Sequence, residues 1–206
     1  MELLLVRHAL PVRREVTEGA ADPDLSDAGH QQAGHLAEYL RTESLGGLYA
    51  SPLRRAVQTA APLAALTGLP VAIVDGVAEF DRLSDTYIPA EEMKATNHPR
   101  WQAMITGEHV DGDESQDEFR ARVLASVEAL IDAHPGDKIV VVCHGGVINT
   151  YLAHVLGLDA TVRGFFYPNY TSIHRVVASR SGHRSIVTVN ETSHLRGTGL
   201  PVGING

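Results

Sequence analysis

Continuous apolar runs bounded by charge or turn residues recur along the chain, and between them apolar positions return at helical spacing. The run from Glu2 to Val6 comes first and stops at Arg7-His8, the pattern of a strand covered on both faces. A polar stretch with Pro11, Gly19 and Pro23 follows. Ser26 then stands where an N-cap belongs, ahead of a helix that carries Ala33, Leu36, Ala37 and Leu40 and should end near Gly46. A brief strand at Leu48 to Ala50 passes through Ser51-Pro52 into a second helix, with Ala56, Thr59, Ala60, Leu63 and Leu66 on one side and Gly68 and Pro70 as its terminators. Val71 to Val74 reads as a third strand, left through Val77-Ala78-Glu79-Phe80.

From Asp81 to about Pro135 no strand signal appears. Helical spacing returns at Ser115, where Ser115 and Glu118 have capping-box separation ahead of Phe119, Val123, Val127 and Leu130. Lys138 to Val142 is the strongest buried-strand run, and it ends in Cys143-His144-Gly145-Gly146, with a helix expected from Val147 to Leu156. Two alternating runs, Ser172 to Ala178 and Ser185 to Val189, read as a terminal strand pair. Strands alternating with helices predict an α/β fold, a three-layer sandwich with a largely parallel central sheet. The expected organisation is one domain over residues 1–206, with residues 81–135 as a helical insertion over the active site.

Composition narrows the function. The 206 residues are 44% hydrophobic and 20% charged, an ordinary globular mixture able to bury a core. A formal net charge of −8 disfavours nucleic acid and anionic membrane as partners, so an anionic ligand has to be small and gripped by local cations. No stretch approaches a membrane span, the opening apolar run is too short for a signal-peptide core, and the single Cys143 cannot form an internal disulfide. The expected location is the cytoplasm.

Ligands of open α/β sheets bind at the carboxyl ends of the strands, which makes polar residues directly after apolar runs the candidates. Arg7-His8 follows one run and His144-Gly145-Gly146 another, far apart in sequence yet able to be neighbours in a sheet. Ser51-Pro52-Leu53-Arg54-Arg55-Ala56 places arginine at the start of a helix, where free N–H groups add positive potential. The Gly145-Gly146 pair lets backbone come close and offers further N–H donors. Two histidines and arginines around an oxyanion suit phosphoryl transfer through a phosphohistidine, since neutral imidazole is a competent nucleophile that nearby arginines keep unprotonated. An alkoxide leaving group needs a proton donor, and Glu79 is the carboxyl chosen for it.

These residues carry a family resemblance. Val6-Arg7-His8, Leu25-Ser26-Asp27-Ala28-Gly29-His30-Gln31-Gln32-Ala33, Ser51-Pro52-Leu53-Arg54-Arg55-Ala56-Val57-Gln58-Thr59-Ala60, Glu114-Ser115 with Phe119 and Arg122, and His144-Gly145-Gly146 occur in the order of the histidine phosphatase superfamily. The chain resembles its phosphoglycerate mutase-like branch from about residue 3 to 150, with a weaker extension at Asn169-Tyr170-Thr171-Ser172-Ile173. The resemblance implies His8 as nucleophile, Arg7, Arg55 and His144 as phosphoryl ligands, with Gly145 beside them, and Glu79 as proton donor. Arg55, not Arg54, holds the family position, and Arg54 is expected to be solvated.

The departures shape the expectation. Where the family has Gly, an acidic residue and a phosphate-binding Asn after the first histidine, this chain has Ala9-Leu10-Pro11-Val12, and Phe80-Asp81-Arg82 follows Glu79 in place of the usual text. The segment with His98, Trp101 and His109 has no match to the substrate loops of phosphoglycerate mutases, which favours hydrolysis. The expected activity is a metal-independent phosphomonoester hydrolase acting on a small phosphorylated metabolite. A phosphoglycerate mutase-type transfer and a noncatalytic phospholigand-binding module are its rivals. No cofactor and no metal are expected: the remaining histidines lack ligand spacing, the glycines near Gly145 form no dinucleotide fingerprint, and Asn149 stands where a cysteine phosphatase would need arginine after Cys143.

Overall fold

A computed structural model describes residues 1–106, 114–162 and 164–203, with backbone alone at 104–106. In chain order the elements are β1 (Glu2–Arg7), β2 (Arg14–Glu15), α1 (Asp27–Leu40), β3 (Gly47–Ala50), α2 (Arg54–Thr67), β4 (Val71–Ile73), β5 (Thr86–Tyr87), α3 (Ala90–Ala95), α4 (Pro99–Thr106), α5 (Gln116–Ala133), β6 (Lys138–Cys143), α6 (Gly145–Val155), β7 (Ile173–Ala178) and β8 (Arg184–Glu191). The main sheet has the order β4-β3-β6-β1-β7-β8. Its first four strands are parallel, and β7 runs antiparallel between β1 and β8.

The two central strands show why their sequences are apolar without alternation. Leu3 and Leu5 of β1 and Ile139 and Val141 of β6 pack on one face with α5 and α6, through Val123, Val127, Ile148 and Tyr151. Leu4, Val6, Val140 and Val142 pack on the other face with Leu36 and Leu40 of α1 and Ala60 and Leu63 of α2. Burial of each of these valine, leucine and isoleucine side chains contributes about 1.5–3 kcal/mol, and together the two faces give the expected three-layer sandwich. No helix among the described residues is long and apolar enough to cross a membrane.

α5, expected within the helical insertion, packs against the main sheet. Phe119, Val123, Val127 and Ile131 of α5 belong to the main core, so this helix is part of a layer of the sandwich, and the extra structure is confined to the stretch before it. That stretch also contains a strand where none was expected: Thr86–Tyr87 pairs antiparallel with Arg14–Glu15. Two residues are too few to display alternation. α1 stops at Leu40 rather than near Gly46, the chain tightening into a turn in which Glu43 N–H donates to Leu40 O at 2.9 Å. α6 starts two residues early because His144 takes the N-cap position. β7 and β8 are joined by a turn closed by Ser179 N–H to His183 O at 2.9 Å, and the register of β7 on β1 puts that turn beside the first residues of β1.

Candidate active site

The ladder aligns the ends of three strands. Arg7 pairs with Cys143 and Ala50 with Val142, so the residues that follow, His8, Ser51 and His144, emerge along one edge of the sheet. The backbone ties continue past the strands, with His8 N–H to Cys143 O and Ser51 N–H to Val142 O, both 2.9 Å. α2 begins at Arg54, which sets Arg55 in its first turn, and α6 begins directly after His144. Residues more than 130 positions apart in the chain are thereby neighbours through strand register alone.

The segment after His8 is clamped from the sides. Ala9 N–H donates to Thr59 Oγ1 at 2.9 Å and Leu10 N–H to Gln32 Oε1 at 2.8 Å. Ser26 donates to Leu10 O through both its N–H and its hydroxyl, and a Cβ on Gly29 would come within 2.1 Å of that oxygen. The Leu25 to Ala33 motif therefore positions the histidine loop, and Gly29 is required for the close approach.

Arg7, His8, Arg55 and His144 are all buried in one cup. The imidazoles of His8 and His144 have centroids 5.1 Å apart. His8 Nδ1 lies 2.8 Å from Ala9 O, and a carbonyl only accepts, so the proton of the neutral ring sits on Nδ1 and Nε2 is left bare. Burial holds His8 well below the ordinary histidine range, reinforced by Arg55 and then Arg7. Loss of water, rather than the arginines that the sequence places nearby, is the larger cause. Burial likewise keeps His144 neutral, again with Arg55 as the next cause. Arg7 is stacked between Tyr170 and Tyr167, 4.2 and 4.8 Å from its Cζ, and donates to Pro168 O at 2.6 Å. Arg55 lies 4.7 Å over Tyr87, with Asp81 at 3.6 Å. Aromatic rings on the faces of a guanidinium leave its N–H edge for an oxyanion.

Glu79 is buried and anchored at both oxygens, accepting Gly146 N–H at 2.9 Å and Phe80 N–H at 3.2 Å. A Cβ on Gly146 would fall 2.3 Å from Glu79 Oε1, so the bare glycine is what admits the carboxyl. Burial, and then the charge of Asp81, push Glu79 up to about 7. The turn that carries it is gripped by Arg122 of α5, which donates to Gly76 O and Ala78 O at 3.0 Å each and is paired with Glu114.

The family model of the histidine phosphatase superfamily, branch 1, matches residues 3–192. The chain belongs to this superfamily. A phosphoserine phosphatase 1 of Hydrogenobacter thermophilus is 30% identical over 202 residues, covering 95% of this chain and 94% of that protein. Phosphoglycerate mutase-like protein 4 of Arabidopsis thaliana is 34% identical over 162 residues, 72% of this chain and 68% of that one. A phosphoserine phosphatase structure from Entamoeba histolytica with 3-phosphoglyceric acid superposes with a TM-score of 0.72 at 25% identity, over 94% of this chain and 98% of that one.

In this histidine phosphatase the five side chains singled out from the sequence stand together. Gly145 is the first residue of α6, where the N–H has no intrahelical partner, while Gly146 has given its N–H to Glu79 rather than to the open cup. Arg54 is half exposed, as expected, and is paired with Asp24. His98 accepts from Arg100 N–H at 3.2 Å, which is a helix-end contact, and His109 lies outside the described residues. Burial pushes the Cys143 thiol upward, which keeps it protonated. Ser51, whose Oγ lies 2.7 Å from His144 Nε2, stands in the Ser51 to Ala60 motif with no local sign of a role. Tyr87 carried no local signal at all, since only the pairing of β2 with β5 brings it to Arg55. Among the described residues, no group of three or more His, Cys, Asp or Glu side chains is placed to hold a metal ion.

Proposed function

We propose that this protein hydrolyses the phosphomonoester of a small metabolite through a phosphohistidine on His8, at a cytoplasmic location that suits its lone thiol. One observation carries this reading. Buried side-chain atoms without a hydrogen-bond partner include Arg7 Nε, Arg55 Nε and His144 Nδ1, three nitrogens around one neutral imidazole. Buried polar groups are ordinarily satisfied, and an oxyanion in the cup would satisfy these. The name of the Hydrogenobacter relative points to the same class of substrate.

The chemistry follows from the placement. His8 Nε2 attacks phosphorus while the ester P–O bond breaks, and protonated Glu79 gives its proton to the departing alkoxide. Arg7 and Arg55 neutralise the equatorial oxygens of the loose transition state, which the neutral His144 contacts alongside them. A water then attacks phosphorus, Glu79 takes its proton, the N–P bond breaks and inorganic phosphate leaves.

A radioactive phosphoester should leave acid-labile label on the protein and none on His8→Ala. Label that persists in His8→Ala removes His8 as nucleophile. Release of inorganic phosphate separates hydrolysis from mutase chemistry, which would give an isomerised ester with no phosphate released. Saturable phosphate binding without turnover on a broad panel of phosphoesters would instead mark a binding module.

A further inference from the structure

Ser51 and His144 are both fully buried, with Ser51 Oγ 2.7 Å from His144 Nε2. The same hydroxyl oxygen accepts the backbone N–H of Leu53 at 3.3 Å. A serine hydroxyl has one proton to donate and room to accept two, whereas a neutral imidazole has one protonated and one bare nitrogen. Two proton arrangements fit the distance. If His144 Nε2–H donated, Ser51 Oγ would take two donors and its own buried proton would have no acceptor, since His144 Nε2 is its only such neighbour among the described residues. If Ser51 donated, every atom in the chain from Leu53 through Ser51 to Nε2 would be satisfied, which is the arrangement burial favours.

We propose that Ser51 donates to His144 Nε2 and thereby holds the imidazole proton on Nδ1, which makes His144 a hydrogen-bond donor to the phosphoryl group. Ser51 is a positioning residue, two bonds removed from the substrate. The orphaned atom of the ring is Nδ1, and with the proton there it is a donor waiting for an oxygen. His8 carries its proton at the same ring position for a different end: its Nδ1–H is spent on Ala9 O and its bare Nε2 is the one available to phosphorus. Two imidazoles 5.1 Å apart are thus set to complementary tasks, donor and nucleophile, by their outer partners, a hydroxyl for one and a carbonyl for the other.

The identity of the acceptor rests on the phosphatase reading, but the tautomer does not, and this separates the two in experiment. Nitrogen-15 NMR of the uniformly labelled protein reports protonation of each ring nitrogen. His144 is expected to show a protonated Nδ1 and a bare Nε2, and Ser51→Ala is expected to move proton density to Nε2. With p-nitrophenyl phosphate as substrate, Ser51→Ala should lower kcat about tenfold and weaken inhibition by inorganic phosphate about tenfold, with Ser51→Thr recovering both. A wild-type His144 protonated at Nε2, or a tautomer unchanged in Ser51→Ala, overturns the proposal. The wild-type spectrum alone decides if Ser51→Ala does not fold. The expected spectra in a protein that turns over no phosphoester would leave Ser51 in its role and remove the hydrolase reading.

Discussion

Burial moves Glu79 and His8 in opposite directions, and both displacements suit the proposed reaction. Loss of water raises a carboxyl and lowers an imidazole, so just below neutral pH the buried pair consists of an acid that still holds its proton and a base without one. With alkyl phosphates, kcat should therefore fall as pH rises through about 7, where Glu79 ionises. Asp81→Asn removes the charge that, after burial, raises Glu79, and should shift that limb to lower pH in a kcat profile. Glu79→Gln should cost about 10²–10⁴ in kcat on alkyl phosphates and less on p-nitrophenyl phosphate, whose leaving group needs no proton. At this scale Arg7, His8, Arg55 and His144 were legible because each directly follows a strand run or opens a helix. Ser51 was present in a motif but its work is a hydrogen bond to a residue 93 positions away, and nothing local announces that.

Between elements, the carboxyl proposed as proton donor depends on α5 for its placement. Arg122 of α5 clasps the carbonyls of the turn ahead of Glu79, and a Cβ on Gly76 in that turn would meet Ser126 Oγ of the same helix at 1.6 Å. Arg122→Ala should leave Glu79 poorly aimed and lower kcat between about ten- and a hundredfold with a smaller change in KM, measured by steady-state kinetics. Gly146→Ala forces a methyl against Glu79 Oε1 and should destabilise the fold by about 1–3 kcal/mol in urea titration while also lowering kcat. The amphipathic spacing of α5 said that one face is covered but not by what, which is why the helix read as part of an insertion. The polar Pro11–Asp24 segment and the helical insertion after Glu79 read as separate pieces for the same reason. Their union as a ribbon through β2 and β5 is a contact across 70 residues, with too few residues in each strand to leave a pattern.

For the whole molecule, the alternation of apolar runs and helical spacing was enough to specify a three-layer α/β fold, because β1 and β6 are buried on both faces and say so in every residue. The same core sets the response to acid. His8 and His144 are held well below the ordinary value and His174 at about 3, all by burial first, so the unfolded chain takes up protons below pH 6.5 that the folded chain refuses. Stability from these groups is present above that pH and lost as pH falls, by up to roughly 1.4 kcal/mol per pH unit for each histidine. Glu79 works the other way, its contribution fading as pH rises from its ordinary value through about 7. Urea titrations should therefore show stability falling below pH 6.5, with a shallower fall in His174→Gln.

The hairpin that joins β7 to β8 sits against the first residues of β1, at the pole of the sheet opposite the cup. Six strand residues, about 20 Å of chain, separate the two ends of β1. A fluorophore, a bead or a fused protein carried on that hairpin would leave the mouth open, giving the molecule a handle through which turnover could be followed on a surface.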